Sequence, residues 1–136
     1  MFLEDPTYKS RWDRLMYYFI RTTGKKPNLN TLLFLIGVNE VGKGKQHYSK
    51  EEKQDLMHVA TCVLLAMSGH YQLDGQDADG WPHYTLIREV PKLSLEEQED
   101  LLQYHMLEYF QDVIDEEIKR EEGLKKNTPP SHLKKL

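Results

Sequence analysis

Apolar positions recur at helical spacing in four stretches of the chain, and the segment between the third and fourth breaks that rhythm. Trp12, Leu15, Met16, Phe19 and Ile20 line one side of a helix expected over about Tyr8 to Thr22. Gly24 is placed to cap its end, and Pro27 prevents continuation. A second element, about Asn30 to Val41, follows Asn28 or Asn30 as cap. Its core T-L-L-F-L-I-G-V suits either a strand or a buried helix, and helix is favoured because its neighbours are helical and no matching second strand exists.

The third stretch opens on a capping box, Ser49-Lys50-Glu51-Glu52, in which hydroxyl and carboxylate each satisfy a free amide at the helix start. Leu56, Val59, Ala60, Val63, Leu64 and Met67 form its inner face. Cys62, Leu65 and Ala66 leave its second half almost without a polar side, which predicts a central helix covered on several sides. A second capping box, Ser94-Leu95-Glu96-Glu97, opens a fourth helix expected to reach about Glu122, with Leu102, Met106, Tyr109, Phe110, Val113, Ile114 and Ile118 turned inward.

The pattern therefore predicts a mainly α fold, a four-helix domain around a central apolar third helix. It spans residues 1–123, followed by a flexible basic C-terminal tail over 124–136. Between helices three and four lies a long loop or short β-hairpin. Tyr71-Gln72-Leu73 and His83 to Ile87 have strand composition, Asp74-Gly75 and Asp79-Gly80 are turn dipeptides, and Pro82 would confine its strand to an edge.

Composition narrows the setting. A chain of 136 residues suits one core, and 39% hydrophobic against 29% charged residues suits a solvated surface. The longest apolar run, Val59 to Met67, is far too short to span a bilayer. The N-terminus lacks the basic and apolar regions of a secretory signal, and the single Cys62 fits a reducing compartment, so a cytoplasmic location without membrane contact is expected. The net charge of −4 conceals an asymmetry: residues 1–53 carry ten Lys/Arg against six Asp/Glu, and residues 54–136 carry eight against sixteen. The two portions are expected to attract each other within the fold or within a dimer, and the acidic total argues against nucleic acid as a partner.

Several motifs approach known chemistry and stop short. Gly37 to Gly44 echoes a phosphate-binding loop, but Gly44 stands where a magnesium-holding hydroxyl is needed and no helix starts until about Ser49. Asp77, Asp79 and Gly80 match part of an EF-hand, but its first ligand position falls on Gly75 and its closing acid on Leu86. A nucleophile is not evident, because Cys62 sits in the most apolar part of its helix. A winged helix, with residues 71–87 as the wing, would present Asp74, Asp77 and Asp79 to phosphates that repel them.

Two candidate sites remain. A divalent metal would draw on His58, His70 and His83 with Asp74, Asp77 and Asp79. Asp55, His58 and Cys62 also share a helix face, with Glu40 a further acid, while the fourth helix adds only His105. An interaction surface would draw on Tyr71, Trp81, His83 and Tyr84, since aromatics beside a rigid proline make good contact surfaces. The absence of a complete catalytic motif favours a binding or interaction protein without its own catalysis, engaging a protein partner or self-associating into a homo-oligomer. The simplest alternative for Trp81 is burial, anchoring the long connection onto the helices.

Overall fold

The computed structural model describes residues 5–42 and 47–127. Helix α1 spans Tyr8–Thr23, α2 Leu29–Val41, α3 Lys50–Ala66, α4 Leu95–Tyr109 and α5 Gln111–Asn127; strands β1, Tyr71–Gln76, and β2, Pro82–Leu86, form a hairpin between α3 and α4. The described residues are mainly helical, with five helices where four were expected.

Local chemistry accounts for most of these limits. Asp5 draws in the Thr7 amide and hydroxyl at 2.8 and 2.6 Å ahead of α1. The Asn28 side chain accepts the Thr31 amide at 2.8 Å, which starts α2 and settles it as a helix. Both capping boxes form as expected, at Ser49 with Glu52 and at Ser94 with Glu97. Gly37, the first glycine of the phosphate-loop-like run, is a residue of α2; Lys43 and Gly44 lie outside the described residues.

The expected long fourth helix is interrupted at Phe110, whose backbone leaves helical geometry (φ −95°, ψ 18°). No glycine or proline marks the place. Phe110 instead packs edge-on against Phe19 of α1, ring centres 5.7 Å apart, and α5 continues along α1 while α4 lies on α3. Tertiary packing has overridden a locally favourable helix. The segment runs on to Asn127, past Glu122, so residues 124–127 of the expected tail are helical; residues 128–136 lie outside the described residues.

One core gathers Leu15, Met16 and Phe19 of α1, Leu32, Leu33 and Ile36 of α2, Ala60 and Leu64 of α3, Met106 and Leu107 of α4, and Ile114 of α5. Ile20, counted with the inner stripe of α1, is turned outward. The closest seam joins α2 to α3. A Cβ added to Gly37 would lie 2.2 Å from the Leu56 carbonyl oxygen, so the helix backbones touch there and only glycine fits. The charge asymmetry is partly resolved between α1 and α5. Buried Glu117 accepts from Arg21 at 2.8 Å and from Arg120 at 3.4 Å, and Arg14 meets Glu121 at 3.4 Å.

Two glycine substitutions test this packing in opposite directions. Gly37→Ala is expected to cost about 2 kcal/mol or more, because neither backbone can yield without opening the core. Gly123→Ala, in a helical position with open space around its Cβ, is expected to add up to about 1 kcal/mol. Urea denaturation of both variants checks the pair, and an undiminished midpoint for Gly37→Ala would show that the seam is looser than described.

Candidate functional site

Asp55, His58, Val59 and Cys62 stand at i, i+3, i+4 and i+7 on α3 and so share one face. Asp77, Trp81, Pro82, His83 and Tyr84 face them from the hairpin, and an open cleft of about 300 Å³ lies between the two walls.

The hairpin wall is held in shape by Asp77. Its backbone N–H donates to the Trp81 carbonyl at 3.0 Å, and its Oδ1 accepts the amides of Asp79 at 2.9 Å and Trp81 at 3.0 Å. Gly80 supplies the positive φ of 84° that the tight turn requires. The other carboxylate oxygen, Oδ2, accepts from His83 Nε2 at 2.9 Å, which fixes that imidazole's tautomer with the proton on Nε2. The His83 bond, followed by the Trp81 amide, holds the Asp77 carboxyl below the ordinary carboxylate range. A bulge lies between Leu73 and Gly75, and Gly75 adopts φ 140° there. The register pairs Tyr71 with Leu86 and Leu73 with Tyr84 on one face of the ribbon.

On the α3 wall, the Cys62 sulfur lies 3.7 Å from His58 Nε2. Burial pushes the thiol above its ordinary range, so the proton stays on sulfur and the group is a poor nucleophile. Asp55 and His58 are exposed at the mouth. Tyr84 links the cleft to a polar cluster between α2 and α4. Its hydroxyl is pushed up by burial and then by the negative charge of Glu40. In that cluster Asn39 Nδ2 donates to the Tyr109 hydroxyl at 2.6 Å, and burial, with Glu40 adding to it, raises Tyr109 to about 12.

The six residues considered for a metal are divided among different tasks. His58, His83 and Asp77 line the cleft, where His83 Nε2 and Asp77 Oδ2 are hydrogen-bonded to each other. Asp74 accepts the Thr85 hydroxyl across the ribbon, and Asp79 is exposed on the turn. His70 is buried at the hairpin base, where its Nδ1–H donates to the Arg88 carbonyl at 3.2 Å and its own carbonyl accepts the amides of Ile87 and Arg88. Among the described residues, no three His, Cys, Asp or Glu side chains are grouped to hold a metal ion.

Of the four residues considered for an interaction surface, Trp81, His83 and Tyr84 come together in the cleft, and Tyr71 does not line it. Trp81 is partly buried, between the full burial of an anchor and the full exposure of a surface residue. Val59 joins the cleft wall although its apolar character marked it as core. His105 lies apart from the cleft, buried on α4, with Nδ1 3.1 Å from Glu108 and Nε2 without a hydrogen-bond partner among the described residues.

No helix among the described residues is long and apolar enough to cross a membrane. Comparison with protein-family models, curated proteins and solved structures yields no match.

Two titrations follow from these environments. The folded-state pKa of Asp77 is depressed, so what its ionised form contributes is present above the unfolded value of roughly 4 and is lost as pH falls through the lower folded value. Amide signals of Asp79 and Trp81 should move together at that acidic step, and Asp77→Asn should abolish the movement. Tyr109 behaves in the opposite sense. Its raised pKa contributes stability that is complete below pH 10 and is lost as pH rises towards about 12. Absorbance at alkaline pH should show a last tyrosine step, later than that of Tyr84, which is absent in Tyr109→Phe.

Proposed function

We propose that this protein is a binding and interaction module without catalysis of its own, and that its contact site is the cleft between α3 and the hairpin. The observation that carries this reading is the composition and support of the cleft walls. Trp81 and Tyr84 supply aromatic surface beside Pro82, and the Asp77 turn holds them in place against α3 before any partner arrives. Surfaces organised in this way lose little conformational entropy on binding. The protonated, buried Cys62 favours binding over nucleophilic chemistry. Carboxylates on both walls make a phosphate backbone a poor partner.

Amide chemical-shift mapping against a library of short peptides and small fragments tests the site. Ligands are expected to shift signals of residues 55–62 and 77–84 together. Trp81→Ala should remove that binding while the melting temperature changes by only a few degrees, as is typical of a surface-level substitution. Ligands collecting elsewhere, or binding unchanged in the folded Trp81→Ala protein, would overturn the assignment.

A second reading, self-association, has its own support. Leu73 and Leu86 are half-exposed on one face of the ribbon, with Ile87 exposed just beyond β2. A homo-oligomer joined there should dissociate on Leu73→Lys or Leu86→Lys in sedimentation experiments. A parent chain that sediments as a monomer at high concentration would remove this reading.

A further inference from the structure

We propose that the cleft receives the guanidinium head of an arginine side chain presented by a partner segment, an inference that rests on the cleft being the contact site. The charge of the walls is one-sided. Asp55 lies on α3 and Asp77 on the hairpin, while among the described residues no lysine or arginine lines the space between them. Asp55 makes no hydrogen bond or ion pair among the described residues, so its full acceptor capacity is available. Asp77 has spent Oδ1 on two amides and retains capacity on Oδ2, which accepts only from His83.

The aromatic rings point the same way. Trp81 and Tyr84 line the same cleft as the two carboxylates, and the negative face of an aromatic ring attracts a cation. Glu40 close to Tyr84 adds negative charge, which raises the local concentration of cationic groups. The volume of about 300 Å³ sits at the lower end for small-molecule pockets, and the space is open, which suits one side-chain head group attached to a larger partner. Arginine fits better than lysine. A planar guanidinium can stack on an aromatic ring while its edge donates to a carboxylate, and it is less strongly hydrated than an ammonium.

The test uses three capped tripeptides, glycine-X-glycine, with X as arginine, lysine or uncharged citrulline. Binding is followed through the Trp81 indole signal and the amides of residues 55–62 and 77–84 at low and moderate salt. The arginine peptide should give saturable shifts that weaken with added salt. The citrulline peptide should bind about ten-fold more weakly, the scale of one lost charge-assisted interaction. Asp55→Asn, an exposed substitution that leaves the core untouched, should reduce arginine affinity several-fold. Equal binding of citrulline and arginine would overturn the cation assignment and leave the cleft as a binding site. Lysine matching arginine would overturn the guanidinium assignment. Absence of saturable shifts with any peptide overturns this proposal, and absence of any cleft ligand in the wider library overturns the site itself.

Discussion

The contact between Gly37 and the Leu56 carbonyl sets the position of the central helix, and most of the structure depends on that position. Because α2 reaches α3 backbone to backbone, one side of α3 is occupied by main chain and short side chains. Its other sides are left to α4 and to the hairpin. The cleft is built on what remains: the face of α3 that carries Asp55, His58, Val59 and Cys62. A bulkier residue at position 37 would act on the cleft from the neighbouring side of α3, through Leu56, which is not among the lining residues.

The hairpin reaches the same strip through two fixed points that divide the labour between histidines of one residue type. His70 spends its ring and its carbonyl on closing the base of the ribbon. His83 keeps most of its surface in the cleft and is oriented by Asp77 at the tip. An isolated two-stranded ribbon has little stability of its own. Here each end is tied by hydrogen bonds, at the base through His70 and at the tip through Asp77.

How much of this was legible in the sequence differs from element to element. The helix starts at Ser49 and Ser94 were readable because a capping box is a local contract between residues three apart, and nothing distant can easily cancel it. The hairpin was legible from Asp79-Gly80, which does make its turn, whereas Asp74-Gly75, also expected as a turn, lies within β1 at the bulge. The break at Phe110 left no local trace, since its cause is a ring on α1 far away in the chain. The site was partly legible. Trp81, His83 and Tyr84 stood out by type, and Asp55, His58 and Cys62 by spacing, but their meeting across the cleft depends on how the hairpin folds back. Conversely, His70 and Asp74 looked like ligands because residue type alone does not show whether a polar atom is already engaged.

The seam between α1 and α5 joins the first described helix to the last. During synthesis, α2 and α3 can pack as soon as they emerge, whereas Arg14 and Arg21 must wait for Glu117 and Glu121, which are made after every other element is in place. Contacts of such long sequence separation close late and at an entropic cost. Until then α1 carries Leu15, Met16 and Phe19 without their final cover, so the nascent chain exposes an apolar helix until α5 has been made. The interval of greatest vulnerability to aggregation is thus set by where in the gene the partner helix is encoded.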